Sequence, residues 1–219
     1  MIYKNLLILG ASGKIGQHVL NGAVERGYNV TVVVRSKSKI QDNGNVRIIE
    51  GNVLDDSVLT DAMKSQDAVL SCLGILRENQ NNPWSKVIPP ENLTTLVTKK
   101  ALGLMGKFGV KRLITISAAG VGDSEKLISY PMKMMIKLSN VKVSYEDLFN
   151  MEIAMKNSSI DTLALRPVGL NDGKVTNSAK IVDGCGLASQ ISRSDVAVWM
   201  LDALERTEKF TNPTEIIGS

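Results

Sequence analysis

Leu6-Leu7-Ile8-Leu9-Gly10-Ala11-Ser12-Gly13-Lys14-Ile15-Gly16 constrains the fold more than any other stretch of the chain. A short apolar run bounded by glycine reads as a strand buried on both faces of a parallel sheet. Ile15, Val19, Leu20 and Val24 then recur at roughly helical spacing. The order is therefore strand, glycine turn, helix, which is what a phosphate-binding loop requires. Gly10 allows a tight turn off the strand, Gly13 lets backbone N–H groups approach a pyrophosphate, and Gly16 allows the helix to pack closely. The helix N-terminus then offers its free N–H donors to the anion. The spacing is G-x-x-G-x-x-G, whereas the commoner dinucleotide fingerprint is G-x-G-x-x-G. A glycine turn without a ligand is the plainer alternative, and the flanking strand and helix favour the binding role.

The rest of the chain alternates strands and helices. Tyr28–Val34 is a β-branched run closed by Arg35, and Gly27 before it suits a helix end. Where NAD-preferring sites place an acid for the ribose 2′-hydroxyl, Arg35 stands with Ser36 and Lys37, a setting for a 2′-phosphate. NADP is thus expected over NAD, against the alternative of a solvated strand-end arginine. Residues 46–50 form a third strand and 56–64 a helix with Asp55 as its N-cap. Residues 67–74 form a fourth strand. Cys72 there is expected to be a small strand-end residue, because no neighbouring base activates its thiol. Residues 75–90, polar and with Pro83, Pro89 and Pro90, are expected to be a long loop that walls or covers a site.

A helix over 91–108 ends at Gly109, and 111–117 is the fifth strand. Ligands of open parallel sheets bind beyond the strands' carboxyl ends, so Gly10, Arg35, Asn52, Gly74 and Ser117 are expected on one rim. Tyr130–Leu138, carrying Met132, Met134, Met135 and Ile136, reads as an apolar helix, either packed, capping a hydrophobic substrate, or in a dimer contact. Helix 144–156, strand 160–165 closed by Arg166-Pro167, and a short strand at Ile181-Val182 follow. Ser192-Arg193-Ser194-Asp195 is a capping arrangement for a helix over 196–206, and 215–217 is a terminal strand.

These elements predict a single α/β domain over residues 1–219, a Rossmann-type doubly wound parallel sheet with helices on both faces. Of the 219 residues, 43% are hydrophobic and 22% charged, enough apolar content for one sizeable core. The net charge of +4 is scattered except over 35–39, and aromatics are 4%, so nucleic acid is not an expected partner. Cys72 and Cys185 form neither a disulfide framework nor a zinc spacing, and His18 is the only histidine, so no metal site or Ser-His-Asp triad is expected. Free cysteines without a secretory pattern point to the cytoplasm, and no apolar run is long enough for a membrane span. Monomer and homodimer both remain open.

Several stretches align in order with one family. They are Gly10–Gly16, Val34-Arg35, Gly51–Asp55, Ile116–Ser124, Asp161–Pro167 and Ile191–Ala197. With these the chain resembles the atypical short-chain dehydrogenase/reductases, in the NmrA-like NAD(P)H-binding group that includes biliverdin-IXβ/flavin reductases. The resemblance implies that Gly10, Ser12, Gly13, Lys14, Ile15 and Gly16 hold the pyrophosphate and that Arg35 meets the 2′-phosphate. It places Asn52 and Val53 at the adenine, Cys72 and Gly74 at the ribose, and Ser117, Ala118, Pro167 and Val168 at the nicotinamide. Asn52 stands where the family usually has Asp, and it keeps an acceptor for the adenine amino group.

The chain departs from most short-chain dehydrogenases in lacking a Tyr-x-x-x-Lys pair. Tyr130 has Met134 at the fourth place and Tyr145 has Phe149. Members of the atypical group often lack the pair too, and flavins or tetrapyrroles accept hydride readily. The expected activity is therefore hydride transfer from NADPH to a small planar acceptor such as a flavin or quinone, with Ser117 and Tyr130 the polar candidates for proton handling. Ser117 either orients a substrate oxygen or the nicotinamide amide, or contacts the cofactor with no chemical role. One alternative is a non-catalytic NADP(H)-sensing regulator of the NmrA-like type. A nucleotide-sugar epimerase or dehydratase is disfavoured by the missing pair and by the short region after Pro167.

Overall fold

In the computed structural model, residues 3–37, 40 and 45–219 are described. Ser38 and Lys39 of the basic run lie outside them. The strands begin with β1 (Asn5–Leu9), β2 (Asn29–Val34), β3 (Val46–Glu50), β4 (Ala68–Ser71) and the short β5 (Leu76–Arg77). They are followed by β6 (Val87–Ile88), β7 (Arg112–Ile116), β8 (Asp161–Pro167), β9 (Gly169–Asn171), β10 (Lys180–Ile181), β11 (Gln190–Ser192) and β12 (Thr214–Gly218). The helices are α1 (Lys14–Glu25), α2 (Asp56–Met63), α3 (Leu93–Phe108), α4 (Tyr130–Leu138), α5 (Val141–Lys156) and α6 (Arg193–Leu204).

Eight strands form one sheet in the order β10-β12-β8-β7-β4-β1-β2-β3, parallel throughout except for the β10–β12 pair. The chain winds outward from β1 to β3, then returns to β1's other side through β4. That reversal between β1 and β4 opens a crevice at the carboxyl edge, the usual ligand position in such sheets. Alternation along β1 divides the core: Leu6 and Ile8 face α1 and α6, whereas Leu7 and Leu9 face α2, α3 and α5. This is the expected Rossmann-type fold.

Several boundaries differ from those the sequence predicts. α3 begins at Leu93 instead of residue 91, and α5 begins at Val141, ahead of residue 144. α6 runs from Arg193 to Leu204, because the Ser192 hydroxyl accepts a hydrogen bond from the Asp195 N–H and so starts the helix directly behind itself. Asp55 occupies the N-cap of α2 but makes no side-chain capping bond. The stretch 75–90 is not a plain loop, since β5 and β6 pair in it as a small antiparallel hairpin. Parallel pairing of β9 with β11 is a feature the sequence reading did not contain. α4 is a helix as expected; Ile136 is its buried residue, while Tyr130 and Leu138 are largely exposed.

Candidate functional site

The glycine turn follows β1 directly. Gly10 has φ +79°, and its carbonyl accepts from the Gly13 N–H at 3.0 Å. A Cβ at Gly16 would lie 2.1 Å from the Gly10 carbonyl oxygen, and one at Gly10 would lie 2.9 Å from the Cys72 backbone. Side chains are thus excluded where α1 meets the turn. No side chain caps α1 and its first turn has no acid, which leaves the helix N-terminus suited to an external anion.

A cavity of about 450 Å³ opens over this turn. Gly10, Ser12 and Gly13 form its floor, Arg35, Asn52 and Val53 its wall at β2 and β3, and Cys72 and Gly74 its wall at β4. Leu76, Ile88, Pro89 and Pro90 of the hairpin segment close the remaining side. Arg35 is exposed, and none of the ion pairs among the described residues engages it. The Asn52 Oδ1 accepts from the Leu54 N–H at 3.0 Å and keeps a second lone pair. Burial pushes the Cys72 thiol up to about 12, which disfavours the nucleophilic thiolate, and its sulfur lies 3.9 Å from Met200 Sδ. A larger hollow, lined by Asn5, Asn29, Thr31, Arg47 and Gln66, lies at the amino ends of the strands, away from the glycine turn.

The other expected site residues sit beside this cavity without lining it. Ile15 and Gly16 are in the first turn of α1. The Lys14 ammonium pairs with Asp172 at 2.8 Å, and Asp172 also pairs with Arg193, so the segment after β9 is drawn toward the glycine turn. Ser117, Ala118, Pro167 and Val168 lie at the carboxyl ends of β7 and β8, the Ser117 N–H donating to the Leu165 carbonyl and the Ala119 N–H to the Pro167 carbonyl. Since β4 pairs with β7, Ser117 is one strand beyond the Cys72–Gly74 wall. The Ser117 hydroxyl donates to Glu152 Oε1 of α5 at 2.6 Å, and Glu152 is held by Arg166.

Neither Tyr130 nor Tyr145 lines the cavity. Tyr130, the first residue of α4, is 73% exposed. Tyr145 donates its hydroxyl to the Ala119 carbonyl at 3.0 Å, and burial, with Cys185 adding to it, pushes its phenol up to about 12. Among the described residues no His, Cys, Asp and Glu cluster suits a metal ion, and no helix is long and apolar enough to cross a membrane.

A family model described as NAD(P)H-binding matches residues 10–207, from the glycine turn to three residues past α6. The chain belongs to this NAD(P)H-binding family. Among curated relatives, the uncharacterized protein YwnB of Bacillus subtilis is 28% identical over 228 residues, covering 95% of this chain and 97% of that one. Among solved structures, the anaerobilin reductase ChuY of Escherichia coli O157:H7 is similar with a TM-score of 0.75 at 23% identity, covering 98% and 96% of the two chains. A short-chain dehydrogenase/reductase of Veillonella parvula solved in complex with NADP has a TM-score of 0.80 at 17% identity, covering 99% and 95%. At these identities the two structures speak to the fold, which they share with this member of the NAD(P)H-binding family.

Three features of this family member went unread in its sequence. Residues 75–90 wall the cavity as expected, but their pairing into a hairpin that presents Leu76 and Ile88 was signalled by no spacing. The hairpin's tip is tied to α4: the Trp84 indole N–H donates to the Leu138 carbonyl at 3.1 Å, and the Asn140 amide donates to the Trp84 carbonyl at 3.0 Å. Glu152 and Arg166 bear on Ser117. Arg166, a charge inside an apolar strand run, was the available signal.

Proposed function

We propose that the protein is an NADPH-dependent oxidoreductase that reduces a small planar acceptor, such as a flavin or quinone. The observation that carries the cofactor choice is Arg35, an exposed guanidinium at the β2 wall of the cavity with no described carboxylate on it. A 2′-phosphate there would receive charge-assisted hydrogen bonds, which are stronger than neutral ones. The uncapped α1 N-terminus and the glycine turn, Gly10 to Gly16, suit the pyrophosphate, with Lys14 free to leave its exposed partner Asp172. Asn52 and Val53 would flank the adenine and Cys72 and Gly74 the ribose. Ser117, Ala118, Pro167 and Val168 would border the nicotinamide.

The bound cofactor supplies the hydride, so the chain's own contribution is to hold donor and acceptor close and to exclude water. The hairpin residues Leu76 and Ile88 furnish apolar surface for that purpose. Membership of the NAD(P)H-binding family and likeness to a protein described as an anaerobilin reductase support a reductase. A conjugated acceptor also fits a site where the Ser117 and Tyr145 hydroxyls already donate within the protein. That same occupancy favours, as second reading, an NADP(H) sensor without turnover.

Oxidation of NADPH by the purified protein decides between them, with FMN, riboflavin, a quinone and a linear tetrapyrrole as acceptors and NADH as control. Turnover with one acceptor, faster with NADPH, is expected. Tight NADP(H) binding without turnover on any acceptor would leave the sensor, and absence of binding would overturn both.

A further inference from the structure

The mechanism above leaves unused a buried polar chain behind Ser117. Glu152 on α5 is almost fully covered, its side chain 9% exposed, and the Arg166 side chain is 4% exposed. Arg166 grips the carboxylate with both arms of its fork, Nε to Oε1 at 3.0 Å and Nη2 to Oε2 at 2.6 Å. Its remaining Nη1 reaches Asp123 at 2.8 Å. Oε1 is thus shared between the guanidinium and the Ser117 hydroxyl.

An ionised carboxylate only accepts hydrogen bonds, so the Ser117 hydroxyl must be the donor in this contact. Its single proton is committed inward, so a ligand that reaches this hydroxyl, on a residue 5% exposed beside the cavity, meets lone pairs only. Position supplies the other half of the inference, which rests on the cofactor reading above. The glycine turn sits at the end of β1, and Arg35 and Asn52 place the adenosine half over β2 and β3. The other half of a dinucleotide must then extend over β4 and β7, where Ser117 ends the strand. The carboxamide of a nicotinamide carries an NH2 group, a donor in need of an acceptor.

We propose that Ser117 acts as a hydrogen-bond acceptor for the nicotinamide carboxamide N–H, and that Glu152, clamped by Arg166, is the positioning residue that locks the hydroxyl in the accepting orientation. Ser117 is then not a proton donor to the substrate. The carboxamide bond sets which face and which rotation of the ring meets the acceptor.

The test compares binding of NADP⁺ with binding of its 3-acetylpyridine analogue, in which a methyl group replaces the carboxamide NH2. Calorimetry on the wild type, Ser117→Ala and Glu152→Gln gives the ratio of the two dissociation constants. The wild type is expected to bind NADP⁺ about 3- to 10-fold tighter, as for one neutral hydrogen bond. In Ser117→Ala the ratio falls to about one, since the acceptor is gone. In Glu152→Gln it also falls, because the new amide can donate to Ser117 and turn the hydroxyl proton outward. A merely structural loss would weaken both ligands alike and leave the ratio standing. A wild-type ratio of one, or a ratio that survives Ser117→Ala, overturns the proposal. Loss of the ratio in Ser117→Ala but not in Glu152→Gln overturns the role of Glu152. Binding of neither ligand overturns the cofactor reading itself.

Discussion

Single residues decide how this sheet receives an anion. Gly16 touches the Gly10 carbonyl so closely that a methyl group there would sit 2.1 Å from oxygen, which no side-chain rotation relieves. Arg35 acts at the same scale, and its contribution can be isolated because it is exposed and unpaired among the described carboxylates. Replacing it removes a phosphate partner without removing packing. Arg35→Ala is therefore expected to weaken NADP⁺ by about 10- to 100-fold while NAD⁺ changes little, in line with a lost charge-assisted hydrogen bond. Calorimetry with both cofactors checks this. Equal weakening of the two, or of neither, would remove Arg35 from the 2′-phosphate.

At the scale of elements, the helices are tied to one another by side chains that reach across. α3 begins at Leu93 without a cap of its own, as Asn92 makes no side-chain capping bond. The cap comes from α5: the buried Asp147 carboxylate accepts the Thr94 N–H and the Thr95 N–H, each at 2.9 Å. A negative charge at a helix N-terminus is favourable, and buried N–H donors left without a partner are costly. Asp147→Ala should destabilise the fold by about 3 kcal/mol, and Asp147→Asn by roughly half of that. Urea unfolding gives the value, and an unchanged midpoint would mean that water replaces the cap. α6 shows the local counterpart. Its Ser192-x-x-Asp195 signature was legible in the sequence, and Asp195 additionally accepts from the Thr176 and Asn177 N–H groups, fastening the segment before β10. Burial raises the Asp195 carboxyl, but hydrogen bonds from the Ser192 hydroxyl and then from Thr176 and Asn177 outweigh it and hold the group below its usual value.

The whole molecule separates what binds from what stabilises. The cavity lies at the carboxyl edge of the sheet, and Arg112 lies at the other, at the start of β7. Its guanidinium is buried, paired with Asp161 at 2.6 Å, donating to the Leu204 and Glu208 carbonyls, and stacked near Tyr3 and Phe210. It bolts β7 and β8 to the end of α6 and the segment that follows. Arg112→Ala leaves Asp161 as an uncompensated buried charge, for a cost of about 3–5 kcal/mol. At this chain length that lowers Tm by about 10 °C. NADP⁺ affinity of the folded protein should remain within about twofold, because neither Arg112 nor its partners Asp161, Leu204 and Glu208 line the cavity. Thermal unfolding and calorimetry on the one variant read both; a large loss of affinity would show the ends to be coupled.

The layered fold, the glycine turn and the placing of Arg35, Asn52 and Gly74 on one rim were already determined by the sequence, because period, chain order and glycine spacing are local signals. Helix starts were less legible. α5 opens three residues before Ser144, and stretch 75–90 pairs into a hairpin that no local pattern announced. Only the tertiary structure decided which groups stand next to Ser117. Glu152 is 35 positions away along the chain and Arg166 lies on another strand, and long-range contacts between side chains leave no periodic mark. The sequence by itself therefore determined that a dinucleotide is held, through backbone geometry that glycine spacing encodes. The setting of Ser117, the residue proposed to meet the reactive end, was decided by the fold, because only the tertiary structure brings the buried Glu152 carboxylate to its hydroxyl.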